Sequence, residues 1–287
     1  MNASTWARRV VESDRLCDKL APPPQPLGLD RYSAPPDGGA ARSGKAGPCG
    51  DGEPAVRLAA PGRPRELAIV PGKQARVPPI AGMSDPAQRA RILHALANHE
   101  LQAIELFAWA LLAFPDAPRA FRRGLAAIAA DEQRHFALYE ARLAAHGTRF
   151  GDHPVTGHFW AKLDHLTGPL EFACAMGLTF EAANLDFAGD YAAAARACGD
   201  VATAAALDRV HADEIRHVRF GWQWLRRLAP EADAWEAYTS HVRFPLGPAR
   251  ARGARLDRDA RRRAGFDEAF IARLAAIEPK RPSGAPR

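Results

Sequence analysis

Cysteine is scarce in this 287-residue chain. Cys17, Cys49, Cys174 and Cys198 form no Cys-x-x-Cys pair and keep no short regular spacing, which sets aside a disulfide framework or a zinc site and leaves free thiols. Long apolar runs are missing as well. Nothing approaches the roughly 20 residues of a membrane helix, and the N-terminus, with Arg8, Arg9, Glu12 and Asp14 close together, lacks the apolar core of a secretory signal. A cytoplasmic location with no membrane partner is the expectation. Excess charge is absent from most of the chain, because the net +6 is carried from Arg250 onward, where eleven Lys or Arg face five Asp or Glu. The basic tail therefore reads as a solvated surface segment, and contact with a nucleic acid, through that tail alone, is the less favoured alternative.

What the chain does have is 47% apolar residues, enough for a sizeable core, and one phrase written twice. Ala130-Asp131-Glu132-Gln133-Arg134-His135 returns as Ala212-Asp213-Glu214-Ile215-Arg216-His217. On a helix, Glu-x-x-His turns a carboxylate and an imidazole to the same side. Both copies lie inside apolar stripes: Leu125, Ile128, Ala129, Phe136, Tyr139 and Leu143 flank the first, and Leu207, Val210, Val218, Gly221 and Leu225 the second. Two further carboxylates interrupt such stripes. Glu100 sits among Leu93, Leu96, Ala97, Ala103, Ile104, Phe107 and Leu111, and Glu181 among Cys174, Gly177, Leu178, Leu185 and Ala188. Glu105 lies about 140° around the wheel from Glu100, beside His94, Asn98 and Trp109, and is the weaker candidate.

Punctuation frames four long helices. Ser84 or Asp85, with Pro86 behind it, starts the first, which runs to about Ala113, and Phe114-Pro115-Asp116-Ala117-Pro118 links it to a second ending near His146 before Gly147. After a long Gly- and Pro-containing connection with a turn of helix near His158 to Leu166, the third spans about 169–197 and the fourth about 200–228. The helix midpoints fall near 100, 132, 183 and 214, so the four glutamates sit at one level of their helices. Before this block, Trp6 to Leu20 reads as one short amphipathic helix, a Pro- and Gly-rich arm follows, and Glu66 to Val70 reads as an isolated strand or extended segment. After it come helices over Glu231–Val242 and Phe266–Ile277, with the last ten residues frayed. The organisation is thus 1–83 extension, 84–229 helical domain and 230–287 extension.

Glu100, Glu132, His135, Glu181, Glu214 and His217 are the candidate metal ligands, because four carboxylates in one dry core would cost several kcal/mol apiece unless protonated, paired or bound to cations. Around them, Asp131 and Asp213 either hold the outer nitrogen of a ligand histidine or pair with Arg134 and Arg216. His211, one turn before Glu214, is a further ligand or a hydrogen-bonded core histidine. Asn184, one turn beyond Glu181, lines a cavity or is a satisfied core amide.

The stretch Asn98-His99-Glu100-Leu101-Gln102-Ala103-Ile104 resembles the first-helix motif of bacterioferritins, and Asp-Glu-x-x-His on helices two and four resembles the ferritin-like superfamily. More closely, the chain is similar to an uncharacterised bacterial ferritin-like family known only as a domain of unknown function, through Asp14 to Leu20, His99 to Leu106, Asp131 to Phe136, Asp213 to Val218 and Arg261 to Phe266. The resemblance implies an all-α fold, a ferritin-like four-helix bundle with one long crossover, and the six ligands above. Phe107 stands where bacterioferritins and rubrerythrins usually carry tyrosine. The expected function is a di-iron or di-manganese oxidoreductase activating dioxygen or peroxide, hydroxylase-like on a small-molecule substrate with an electron donor, and compatible with a homodimer. The alternative is a non-catalytic metal-binding or interaction protein.

Overall fold

The computed structural model describes residues 2–24 and 53–279. Most of the Pro- and Gly-rich arm, with Cys49, and nearly all of the C-terminal stretch read as frayed lie outside the described residues. Among the described residues the structure is helical, its single β-feature being an isolated bridge between Ile69 and Val155. No described helix is long and apolar enough to cross a membrane. Cys17, Cys174 and Cys198 are free thiols. The chain divides into two compact units, one of Met1–Asp164 with Ala197–Ala202, the other of His165–Arg196 with Thr203–Arg287.

The first unit holds α1 (Ala3–Glu12), α2 (Leu16–Lys19), α3 (Pro86–Ala113) and α4 (Arg119–Ala145). Asp85 caps α3 by accepting from the Gln88 amide, with Pro86 in the first turn. Gly147, at φ 73°, follows α4 in the left-handed conformation that a side chain would resist. The helix expected over Trp6 to Leu20 is instead two helices broken at Ser13. There the serine hydroxyl donates to Asp18 (2.7 Å) and accepts from the Arg15 amide (3.1 Å), a local alternative to the helical ladder. The break folds Lys19 inward, where its ammonium donates to the carbonyls of Val10 and Val11. Glu66 to Val70 is likewise no strand, since a 3₁₀ turn over Arg65–Leu67 buries Leu67 and leaves only the bridge to Val155.

One face of α3 is polar yet buried, and its task is to hold the connection that follows α4. His94 accepts from the Gly151 amide (3.0 Å), Asn98 donates to the Thr156 carbonyl (3.0 Å), Gln102 accepts from the Phe159 amide (3.0 Å) and Glu105 accepts from the Trp160 indole (2.8 Å). The spacing of four, four and three residues puts all four side chains on one flank. A connection of about 20 residues is thereby fixed by backbone groups that would otherwise lack partners.

In the second unit, helix runs without interruption from Pro169 to Ala197, as α5 (Pro169–Phe172), a π-helical segment (Ala173–Glu181) and α6 (Ala182–Ala197). The sequence contains the causes of the wide turn. Thr179 returns its hydroxyl proton to the Cys174 carbonyl five residues back (2.9 Å), and Gly177 packs so closely on Gly221 that a Cβ on it would meet the Gly221 Cα at 2.8 Å. Gly221 lies on α7 (Val201–Leu228), which is followed by α8 (Ala234–His241), α9 (Arg258–Ala264) and α10 (Glu268–Ala276).

Within residues 250–279 the basic tail is not a solvated segment. Ala260 and Ala264 on α9, then Phe266, Phe270, Ile271 and Leu274, are buried. Phe270 meets the rings of Trp222 (5.2 Å), Trp235 (5.2 Å) and Tyr238 (5.5 Å) edge-on or tilted. Arg261 is wholly buried against Asp186, so charge in the tail conceals an apolar helical pattern.

Candidate metal centre

Each unit assembles three of the six expected ligands. In the first, α3 supplies Glu100 and α4 supplies Glu132 and His135, all buried, with one donor atom from each lying within 4.8 Å of the others. His135 Nδ1 is 3.3 Å from Glu132 Oε2 and 3.8 Å from Glu100 Oε2. Burial first, then the charge of Glu132 and a hydrogen bond shared with it, holds the Glu100 carboxyl well above the usual carboxylate range, while His135 pulls the other way.

In the second unit, Glu181 closes the π-helical segment, and α7 supplies Glu214 and His217. Their donor atoms also lie within 4.8 Å of one another. His217 Nδ1 is 3.2 Å from Glu214 Oε2, and the Asn184 amide donates to the other oxygen, Oε1, at 2.8 Å. Ligands bound to one ion at about 2.0–2.2 Å stand roughly 3 to 4.4 Å apart. Both triads therefore match the spacing of a divalent ion after a slight contraction, and their oxygen and imidazole donors suit iron or manganese.

The polar neighbours have definite partners. Asp131 forms an ion pair with Arg134, and Asp213 with Arg216 at 2.5 Å. His211 is half-buried with Nε2 3.4 Å from Asp257 Oδ2. Phe107 is buried on α3, and Trp109 donates to the Leu58 carbonyl (3.0 Å).

A second repetition was not read from the sequence. Five residues after Glu100 comes Glu105, and five after Glu181 comes Asp186; both carboxylates are fully buried and neutralised by residues from a chain extension. Glu105 takes the Arg63 guanidinium by two bonds (2.7 and 2.6 Å) and the Lys19 ammonium at 3.0 Å. Burial lowers the proton affinity of Lys19, and the charge of Glu105 opposes that shift. Asp186 takes the Arg261 guanidinium by two bonds (2.7 and 3.0 Å) and the backbone amides of Gly253 (2.8 Å) and Asp257 (2.7 Å). Each triad is thus accompanied by a charge lock, made from the N-terminal extension in one unit and the C-terminal extension in the other. The legible signal was an acid at ligand plus five in both helices.

A family model described as Protein of unknown function (DUF455) matches residues 39–272. Neither a curated protein nor a solved structure matches the chain.

Proposed function

The chain belongs to the family of that description, which assigns no activity, and from its two triads we propose a ferritin-like di-iron carboxylate oxidoreductase that activates dioxygen or peroxide and acts, hydroxylase-like, on a small-molecule substrate. Manganese is the other ion the donors accept. The observation that carries the reading is the recurrence of one buried triad, a glutamate from one helix and Glu-x-x-His from the next, in each of two compact units. The expected ligands are Glu100, Glu132 and His135 for one ion and Glu181, Glu214 and His217 for the other, matching the ligand set of ferritin-like carboxylate bundles.

Bound metal would supply a change of valence and an open position for the oxidant. The chain supplies the remainder. Its glutamates offset the charge of the ions, His135 and His217 present Nδ1 beside a carboxylate oxygen, and each triad's own helix is buried around its glutamate, through Ala97, Ile104 and Phe107 beside Glu100 and through Leu178 and Leu185 beside Glu181. Asn184, half-buried on α6, keeps the Glu214 carboxylate turned. The same burial of the ligands gives the alternative, a non-catalytic metal-binding or interaction protein, its support.

Elemental analysis tests the proposal, comparing the purified chain with the Glu132→Ala/Glu214→Ala double variant before and after anaerobic ferrous reconstitution. About two metals per chain, lost in the variant, with new absorption on admitting air, are expected. No metal in either protein refutes the reading, and two metals without oxidant consumption decide for the alternative.

A further inference from the structure

Asn184 distinguishes the second triad from the first, and this inference rests on the reading of the triads as metal ligands. The helix that carries Glu181 also carries Asn184, one turn further on, and its amide donates to Glu214 Oε1 at 2.8 Å. The other oxygen, Oε2, faces His217 Nδ1 at 3.2 Å. A carboxylate so engaged cannot rotate without giving up a hydrogen bond. One segment therefore provides a ligand for the ion and fixes the orientation of a second ligand on α7. The corresponding position in the first unit, three residues after Glu100, is Ala103, whose methyl donates nothing.

We propose that Asn184 is a positioning residue that holds Glu214 with Oε2 presented to a divalent ion beside His217, and that it sets the affinity of the Glu181–Glu214–His217 triad. An amide donor stabilises the ionised carboxylate and restricts its torsion, so the ion meets a ligand already aimed. Hydrogen-bonding partners of metal ligands contribute roughly 10–100-fold to affinity. Asn184 is half-buried, so its replacement disturbs little of the core.

The test is a titration with cobalt(II) alone, followed by visible absorption and by calorimetry, on wild type, Asn184→Ala and Asn184→Gln. Wild type should take up two ions. Asn184→Ala should weaken one of them by about 10–100-fold and alter its part of the absorption spectrum, while Asn184→Gln, which retains an amide donor, should recover much of the loss. Attribution comes from combination with ligand variants. Added to Glu132→Gln, Asn184→Ala should still weaken the remaining ion; added to Glu214→Gln, it should change nothing further. Unchanged affinity and spectrum overturn the inference while leaving the metal reading intact. Wild type that takes up no cobalt overturns that reading and the inference with it. Circular dichroism and thermal unfolding of Asn184→Ala exclude loss of fold as the cause.

Discussion

Replacing Arg261 by methionine removes a guanidinium from a site with no access to water. Asp186 would lose two charge-assisted bonds and keep only the amides of Gly253 and Asp257, while the carbonyls of Ala182, Ala251 and Asp257 would lose a donor. Breaking one side of a buried ion pair costs about 3–5 kcal/mol, a large share of the roughly 5–15 kcal/mol that holds a domain folded. With a denaturant slope of about 2–3 kcal/mol per M in urea, a loss of about 4 kcal/mol moves the midpoint down by roughly 1.3–2 M. The second variant, Asp186→Asn/Arg261→Met, removes both charges and keeps an acceptor for one of the two amides. It should be more stable than the single variant by at least about 2 kcal/mol, because the uncompensated charge is gone. Urea unfolding followed by circular dichroism measures both, and hydrogen exchange should find the loosening concentrated in α9, α10 and residues 251–257. A single variant within about 1 kcal/mol of wild type, or a double variant no better than the single, would refute the assignment of the lock as an energetic anchor of the C-terminal extension.

Three further perturbations have definite outcomes. Burial, and then the neighbouring charge of His153, hold the His94 imidazole down at about 4 against the ordinary 6.5; the folded chain thus binds that proton less readily than the unfolded one, so this contribution is complete above pH 6.5 and is lost as the pH falls toward 4. The loss should amount to about 3 kcal/mol and should shrink in His94→Gln, as measured by stability against pH. Gly177→Ala places a methyl 2.8 Å from the Gly221 Cα and should destabilise the second unit by roughly 1–3 kcal/mol, visible as a lowered Tm; an unchanged Tm would show that the helices can part at no cost. If the first triad binds a divalent ion, the raised proton affinity of Glu100 means that ion and proton compete there, so the protons released on loading, counted by calorimetry in two buffers of different ionisation enthalpy, should increase as the pH is lowered.

The long helices were legible because their ends are written locally. Asp85 with Pro86, Gly147 and Gly199 each mark a boundary through capping or a positive φ, and the structure places α3 over the expected Pro86–Ala113. The triads were legible for a related reason, since Glu-x-x-His within an apolar stripe fixes its own geometry whatever lies elsewhere in the chain. The break at Ser13 was hidden because the apolar spacing of Trp6, Val10 and Leu20 continues through it, while the competing hydrogen bonds to Asp18 and Arg15 leave that pattern untouched. The π-helical turn was hidden similarly: a stripe through Cys174, Leu178 and Leu185 reads nearly the same with one extra residue in a turn. The locks were out of reach for a different reason. Arg63 and Glu105 are 42 residues apart, and Asp186 and Arg261 are 75 apart, and an arginine gives no sign in sequence of whether it will be solvated or buried.

The locks also clarify what distinguishes the glutamates of the triads. A wholly buried carboxylate has to be neutralised, and at Glu105 and Asp186 the chain does this itself, with guanidinium and ammonium groups brought from the extensions. Five residues earlier on the same helices, the side chains brought to Glu100 and Glu181 are of another kind: a second carboxylate and an imidazole, with donor atoms within 4.8 Å. Acid beside acid raises proton affinity, as it does at Glu100, and an imidazole nitrogen can offer a lone pair to a metal ion. A chain able to place arginine against one buried acid on each helix has placed acids and histidines around the other. That contrast between neighbouring positions, repeated in both units, favours an external cation over internal pairing at the triads, and it is the contrast that the metal analysis and the proton count would decide.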